Sequence, residues 1–336
     1  MHRWVLALSL AAGVALCQQP RTGTVERVQV HGKSLEGNLA GDAADRDVSI
    51  YLPPSYTNAT SKRFPVLYLL HGFTDSDELW MGFKPHWIHF PEVIDRAIAR
   101  SGTREMIVVM PNAYTRMQGS MYSNSPVTGN WEDFLVQELV PYVDAHYRTL
   151  PEAASRGLAG HSMGGYGAAR VGMKHPDVFT SIYLLSPWGL VPNFEGTVPM
   201  QAQAVKTLAD FDKAEFGVRL HLASAAAWSP NPAKPPLFLD LPAQGASVQA
   251  KWNANAPLLM LESLIESVRK LKAIACDAGT QDRQIASEVR KLDTALTRNH
   301  IAHSFELYDG DHTNRIPARV ENKLLPFFNR NLKFGK

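Results

Sequence analysis

The sequence predicts an α/β fold with a mainly parallel β-sheet that is covered by helices on both faces. Short, continuous apolar runs recur along the chain, each closed by a turn signal, as is typical of strands buried on both faces. Segments with helical periodicity lie between these runs, and strands that alternate with helices form parallel sheets. The predicted strands cover residues 47–56, 64–73, 105–114, 155–162, 179–188, 271–279 and 303–312.

Several segments between and after these strands have the pattern of helices. Apolar residues recur at steps of three and four over residues 131–147, and Pro141 is expected to kink or end this helix. The segment 163–176 is rich in small residues, which allow a helix to pack closely against a sheet. Helices are also predicted over 281–299 and 314–333.

The segment 189–257 interrupts the alternation of strands and helices. It contains many prolines, with a cluster over 228–242, and helical stretches such as 200–210. We interpret it as an insertion between two core strands that forms a cap over the functional site. The sequence therefore predicts one domain over residues 18–336, with this cap-like insertion inside it.

Composition and charge exclude some classes of function. The chain has 336 residues, of which 45% are hydrophobic and 20% are charged, as in an ordinary globular protein. The formal net charge is +2, so there is no basic excess that would indicate nucleic-acid binding. It also gives no reason to expect a strongly acidic partner.

The N-terminus has the layout of a secretory signal peptide over residues 1–17. A basic pair precedes the apolar run 4–16, which is too short to span a bilayer comfortably. We therefore expect a secreted or periplasmic protein without stable membrane insertion. Cys17 leaves a lipid-anchored form open, although Leu16 is larger than lipoprotein signals favour. Without the signal peptide only Cys276 remains, so no internal disulfide can form.

The pattern Gly-His-Ser-Met-Gly at residues 160–164 matches G-x-S-x-G. This pattern marks a nucleophile elbow when it connects a strand to a helix, and a predicted strand and helix flank it here. Such a turn requires positive φ at Ser162, and side chains at Gly160 or Gly164 would collide as the chain reverses. Ser162 is the predicted nucleophile, and a glycine-rich packing turn is the alternative.

A serine hydroxyl is a poor nucleophile unless a base takes its proton. In hydrolases with this elbow, the acid and then the histidine follow the serine along the chain. His312 lies between the last predicted strand and the last helix, so its loop can reach over the strand ends towards Ser162. The other downstream histidines are less suitably placed; they are His175, His221, His300 and His303.

The acid that orients the base should follow the strand before the last one. Two aspartates satisfy this condition, Asp277 at the strand end and Asp282 just past a turn. A side chain that meets His312 must come from the loop, which favours Asp282. The alternative roles are turn stabilisation for Asp277 and helix capping for Asp282.

The remaining site residues follow from the needs of acyl chemistry. A tetrahedral intermediate requires two hydrogen-bond donors, and we expect the backbone N–H groups of Met163 and Phe73 to supply them. Substrate contacts are expected from His161 and Trp188. The spacing of His86 and His89 is H-x-x-H without an acidic ligand, so no metal and no other cofactor is predicted.

Five segments together resemble a known family, in the order in which the family carries them. They are YLLHGF, GNWEDFLVQELVPYVDAHYRT, GLAGHSMGGYGAARVGMKHPDVF, ACDAGTQD and DGDHTNR. They resemble the putative esterase family of α/β-hydrolases, which includes esterase D (S-formylglutathione hydrolase), feruloyl and acetylxylan esterase domains and the antigen 85 mycolyltransferases. The resemblance covers about residues 25–190 and 270–335. It implies the α/β-hydrolase fold and, through the turn G-x-x-D at residues 279–282, supports Asp282 as the acid.

The sequence thus predicts a secreted serine carboxylesterase that cleaves an acyl ester through an acyl-enzyme on Ser162. Feruloyl and acetyl esters are the candidate substrates, either as small molecules or linked to carbohydrate. One alternative is an acyltransferase that uses the same triad with an alcohol or sugar acceptor. The other is a non-catalytic binding protein with a hydrolase fold. The sequence does not indicate an oligomeric state.

Overall fold

A computed structural model describes residues 22–192, 194 and 196–335. Its strands form one eight-stranded sheet in the order β1-β2-β4-β3-β7-β8-β9-β10 and a small ribbon of β5 and β6. Strands β3, β4 and β7 to β10 are parallel, whereas β1 and β2 add an antiparallel edge. The strand bounds are β1 (Thr24–His31), β2 (Asp45–Leu52), β3 (Val66–Leu70), β4 (Ile107–Pro111), β5 (Asn124–Ser125), β6 (Gly129–Asn130), β7 (Arg156–His161), β8 (Ser181–Leu185), β9 (Ala273–Gly279) and β10 (Ser304–Tyr308).

Each of the seven predicted strands is present, so the expected mainly parallel α/β sheet is confirmed. Strand β1 was not predicted, because it lies at the edge of the sheet and most of its side chains are exposed or half-buried. Its apolar residues Val25, Val28 and Val30 do not form a continuous run. The central strands are buried on both faces, as continuous apolar runs indicate.

Side chains of alternate residues along β3 pack on opposite faces of the sheet. Val66, Tyr68 and Leu70 belong to one hydrophobic cluster, and Leu67 and Leu69 belong to the other. This is the period of two that a strand imposes on its side chains. The sheet therefore separates two cores, and both must be covered by helices.

Helices cover both faces, and their bounds follow the predicted segments closely. The predicted helices over 163–176 and 281–299 are α5 and α12. The helix bounds are α1 (Asp77–Trp80), α2 (Phe90–Ser101), α3 (Trp131–Asp133), α4 (Val140–His146), α5 (Met163–Lys174), α6 (Val198–Ala204), α7 (Leu208–Lys213), α8 (Phe216–Trp228), α9 (Ala246–Asn253), α10 (Pro257–Met260), α11 (Ile265–Val268), α12 (Arg283–Arg298), α13 (Ile316–Arg319) and α14 (Leu325–Asn331).

The predicted helix over 131–147 continues past Pro141, the residue that was expected to kink or end it. A π-helical segment over Phe134–Leu139 connects α3 to α4 just before this proline. The wider turns of a π-helix change which carbonyl faces the proline ring, so the missing N–H and the ring are accommodated. A second π-helical segment, Val320–Leu324, connects α13 to α14 just before Pro326.

The insertion over 189–257 is helical and shares the core of the sheet. Its central helix α8 is buried along most of its length, and its apolar residues belong to the same hydrophobic cluster as α5 and α12. The Ser125 hydroxyl donates to the carbonyl of Ala226 at 2.6 Å, which ties α8 to the β5–β6 ribbon. The insertion is therefore packed against the rest of the fold.

The predicted signal peptide over residues 1–17 and Cys17 lie outside the described residues, and that assignment stays a prediction. In the part of the chain that the structure describes, no helix is long and apolar enough to cross a membrane. Cys276 is buried in β9 as a free thiol.

A buried ion pair links the end of β9 to the C-terminal helices. The Asp277 carboxylate is fully buried and accepts hydrogen bonds from the Arg319 guanidinium at 2.7 and 2.9 Å. The Tyr183 hydroxyl donates to the same carboxylate oxygen at 2.8 Å. The same guanidinium also forms an ion pair with the Glu306 carboxylate through Nη1. Asp277 thus holds α13 against the sheet.

Removing the cation of this pair should be strongly destabilising. We expect Arg319→Met to lower the free energy of unfolding by about 3–5 kcal/mol, because it leaves the Asp277 carboxylate buried without a counter-charge. Adding Asp277→Asn to that variant should recover a substantial part of the loss. Urea denaturation measures both effects. A single variant as stable as the parent would show that the pair does not hold α13.

Candidate active site

Ser162 lies in the sharp turn between β7 and α5, with φ 56° and ψ −117°. The predicted positive φ is confirmed. The flanking residues are glycines because, as predicted, side chains there would collide with neighbouring backbone. A Cβ atom on Gly164 would overlap the carbonyl of Leu70, and one on Gly160 would overlap the backbone of Gly164. Only glycine fits at both positions, so the turn presents the Ser162 side chain above the sheet.

The structure brings His312 and Asp282 together beside this serine. Strands β9 and β10 are parallel neighbours, so the loops after them, which carry Asp282 and His312, meet at the same edge of the sheet. The Nδ1 atom of His312 lies 2.5 Å from Oδ2 of Asp282. A carboxylate can only accept, so Nδ1 carries the proton and Nε2 is left as an acceptor. The Asp282 side chain makes no capping bond to α12.

Asp277, the other candidate acid, does not reach His312. It ends inside the sheet, where its carboxylate binds Arg319 and Tyr183. The turn at Gly279 separates the two aspartates, and only the one beyond it comes from the loop. The structure thus matches the preference for Asp282 that the sequence indicated.

The two predicted oxyanion donors belong to segments that adjoin Ser162. Met163 is the first residue of α5, where the N–H groups have no acceptor within the helix. Phe73 follows β3 and lines the same cavity as Ser162. The backbone at Gly72 is close to the serine, since a Cβ atom added there would lie 3.5 Å from Cβ of Ser162.

His71 supports this loop, a role that the sequence reasoning missed. It is fully buried, its Nδ1 lies 2.8 Å from the carbonyl of Gly72, and its Nε2 accepts from the N–H of Ala113 at 2.8 Å. Burial lowers the pKa of His71, so the ring is neutral and can donate from one nitrogen and accept at the other. The sequence feature that could have indicated this role is the histidine directly before Gly72, just after the end of β3.

His161 has a different position from the one expected of a substrate contact. It is 2% exposed, it does not line the cavity, and its Nε2 donates to the carbonyl oxygen of His312 at 2.8 Å. Burial and the neighbouring His312 imidazole lower the pKa of His161 to about 3, which keeps the ring neutral. The assignment as a substrate contact is therefore corrected: His161 supports the backbone that carries His312.

A cavity of about 350 Å³ opens at Ser162, and Trp188 lines it as predicted. Apolar side chains of the insertion form one wall, and Phe73, Gln284 and Ile285 also line the cavity. The insertion residues are Phe194, Val198, Phe216 and Leu220. Ser162, His312 and Asp282 lie at the polar end of this cavity. The Ser162 hydroxyl and the His312 imidazole thus adjoin a space that is lined mainly by apolar side chains.

Within the described ranges, no group of three or more histidine, cysteine, aspartate or glutamate side chains could hold a metal ion. The two histidines of the H-x-x-H pattern have separate partners. Nε2 of His86 lies 3.3 Å from the Asp75 carboxylate, and Nδ1 of His89 lies 3.6 Å from Glu92.

Comparison with known proteins identifies the family. A family model described as "Putative esterase" matches residues 43–316. The chain belongs to this esterase family. An esterase of Mycobacterium tuberculosis is 34% identical over 140 residues, which is 40% of this chain and 27% of that protein. An endo-1,4-beta-xylanase/feruloyl esterase of Xylanibacter ruminicola is 29% identical over 147 residues, which is 43% of this chain and 20% of that protein. The match thus spans less than a third of the length of these curated relatives.

Solved structures confirm the α/β-hydrolase fold. A ferulic acid esterase has a TM-score of 0.67 at 23% identity, and the match covers 93% of this chain and 99% of that one. An S-formylglutathione hydrolase from Agrobacterium tumefaciens has a TM-score of 0.60 at 15% identity, with 94% and 98% covered. At these identities the structures show a shared fold.

The support that His161 gives to His312 can be tested by substitution. We expect His161→Leu to lower kcat of ester hydrolysis about tenfold to a hundredfold with little change in KM, because the His312 carbonyl loses its donor and the loop can shift. His161→Gln, which can place an N–H near the same point, should recover much of the rate. Hydrolysis of p-nitrophenyl acetate measures both variants. Wild-type kcat in the leucine variant would contradict this positioning role.

Proposed function

We propose that this protein is a serine carboxylester hydrolase with Ser162 as the nucleophile, His312 as the general base and Asp282 as the residue that orients the base. The observation that carries the proposal is the 2.5 Å contact between Asp282 and Nδ1 of His312 at the cavity into which Ser162 opens. That contact fixes the tautomer that leaves Nε2 able to take a proton. Membership of the esterase family supports the same reaction class.

The proposed reaction has two steps that use the same groups. In the first step, Oγ of Ser162 attacks the ester carbonyl carbon while its proton moves to Nε2 of His312. The negative oxygen of the tetrahedral intermediate accepts from the N–H groups of Met163 and Phe73. When the ester C–O bond breaks, His312 returns the proton to the leaving alcohol. Water then attacks the acyl-enzyme in the same way, and the acid product and free Ser162 result.

The cavity indicates the class of acyl group. Its volume of about 350 Å³ and its apolar lining suit a single aromatic ring or a short alkyl chain. One structural neighbour is a ferulic acid esterase from Anaeromyces mucronatus in complex with ferulic acid, with a TM-score of 0.54. We therefore propose aromatic acyl esters of the feruloyl type, with acetyl esters as smaller substrates. Export from the cytosol is part of the proposal and rests on the layout of residues 1–17 alone.

The nucleophile is tested by removing its oxygen. We expect Ser162→Ala to lower kcat/KM for p-nitrophenyl acetate by about four orders of magnitude or more, because no other group in the cavity can form the acyl-enzyme. The variant should unfold at the same temperature as the parent, since alanine fits wherever serine does. Parental activity in this variant would refute the assignment.

Changing each of the two aspartates to asparagine should affect a different property, kcat for Asp282 and stability for Asp277. Asp282→Asn should lower kcat about a hundredfold to ten-thousandfold with little loss of stability, because it removes the anion that fixes the His312 tautomer. Asp277→Asn should keep kcat within about tenfold and lower stability, because it leaves Arg319 poorly compensated. Steady-state kinetics and urea denaturation of both variants give the comparison. A larger loss of kcat from Asp277→Asn would reverse the choice of acid.

A further inference from the structure

Glu288 is a buried carboxylate on α12 that joins two parts of the active-site cavity. The side chain belongs to a residue that is 3% exposed. Its Oε2 accepts from the backbone N–H of Leu190 at 3.1 Å, and its Oε1 accepts from the side-chain amide of Gln284 at 3.2 Å. The backbone N–H of Val191 also stabilises the charged carboxylate. Gln284 lines the cavity, and Leu190 lies two residues after Trp188, which lines it too.

The segment 188–191 is anchored at two points, and Glu288 is one of them. The other is the N–H of Trp188, which donates to the carbonyl of Ser162 at 3.1 Å and so fixes the start of the segment beside the nucleophile. Gly189 follows with a φ of 82°, a left-handed conformation that turns the chain before it reaches Glu288. The placement of the Trp188 ring in the cavity therefore depends on both anchors.

The contacts of Glu288 match the ionised form of its side chain. A carboxylate only accepts, whereas a protonated carboxyl group turns one of its oxygens into a donor. The partners of Glu288 in the described part of the chain are uncharged N–H groups. Burial raises the pKa of Glu288 to about 7, although the hydrogen bonds from Gln284, Val191 and Leu190 act in the opposite direction. Both forms are therefore populated near neutral pH, and only the ionised form accepts from all of these donors.

We propose that Glu288 is a positioning residue whose ionised carboxylate holds Trp188 and Gln284 in the arrangement that accepts an aromatic acyl group. Protonation removes one acceptor, so the segment 188–191 and the Gln284 amide can shift and narrow the cavity. An acetyl group needs only the space next to Ser162, whereas an aromatic acyl group must also pass along these walls. The role rests on the proposed esterase function, because acyl selectivity requires that Ser162 forms an acyl-enzyme.

The titratable groups around Glu288 define the controls that a test needs. Lys291 on the same helix is the cation whose field favours the ionised form. The segment 188–191 and helix α10, which packs against α12, carry no titratable side chains. Strand β9 also packs against α12 and carries Asp277 and Cys276, and burial raises the pKa of both groups. A pH profile must therefore be compared with a variant in which Glu288 itself is changed.

Two esters that differ only in the acyl group test this role. Methyl cinnamate and methyl acetate share a leaving group, and the ratio of their kcat/KM values cancels the protonation of His312, which both reactions need. We expect this ratio in the wild-type protein to rise about fivefold to tenfold between about pH 5.5 and about pH 8.5, as a hydrogen bond to a charged group is gained. Glu288→Gln, which has one acceptor like the neutral form, should keep the low ratio at every pH through a raised KM for methyl cinnamate.

Asp293→Asn is the matched control. Asp293 lies on the same helix, and its carboxylate binds Nε2 of His303 at 2.9 Å and does not line the cavity. This variant should retain both the wild-type ratio and its rise with pH. A wild-type ratio in Glu288→Gln, or a rise with pH that survives in that variant, would overturn the positioning role. Failure of the wild-type protein to hydrolyse either ester would instead refute the proposed function, and this role with it.

A second variant covers the case in which Glu288→Gln does not fold. Gln284 is exposed and donates to Glu288, and this hydrogen bond stabilises the charged carboxylate. Gln284→Leu removes the donor, so the rise of the ratio should have its midpoint at a higher pH than in the wild-type protein. An unchanged midpoint in this variant, or a wild-type ratio that is constant over the same pH range, would contradict positioning by Glu288.

Discussion

The site depends on the close packing of the turn at Ser162 against the end of β3. Gly164 touches the carbonyl of Leu70 so closely that a Cβ atom has no room there, and a Cβ atom on Gly165 would lie only 2.8 Å from Cα of Pro187. This packing holds Ser162 at a φ of 56°, a conformation that a serine adopts only where its surroundings enforce it. The serine, the start of α5 and the loop after β3 therefore have fixed relative positions before any substrate binds.

Neutral buried histidines extend this fixed geometry to the neighbouring loops. His71 joins the loop after β3 to Ala113, and His161 joins the end of β7 to the backbone of His312. An imidazole suits these positions because it can donate or accept a hydrogen bond without a charge. His71 uses both of its ring nitrogens, whereas Nδ1 of His161 has no partner among the described residues. The loops that follow β3, β4, β7 and β10 are thus connected by single hydrogen bonds from two rings.

Much of this arrangement could be predicted from the sequence, and the failures have physical causes. Buried parallel strands appear as continuous apolar runs, and the two glycines around Ser162 follow from local sterics. Strand β1 was not predicted because an exposed edge strand lacks a continuous apolar run. The π-helical segment before Pro141 was not predicted because the periodicity of apolar residues does not show a local change in backbone hydrogen bonding. The sequence did not show where the His161 side chain lies, because its direction depends on the loop of His312, which is distant in sequence. The preference for Asp282 over Asp277 rested on a short-range feature, the turn between them.

The polar end of the cavity and one of its apolar walls come from different parts of the chain. Ser162, Asp282 and His312 follow the ends of core strands, whereas one wall of the cavity comes from the insertion. Arg116 ties the loop after β4 to α7 through two contacts of 2.8 Å with Asp212, and α8 is part of the main core. A wall held in this way can change its side chains without moving Ser162.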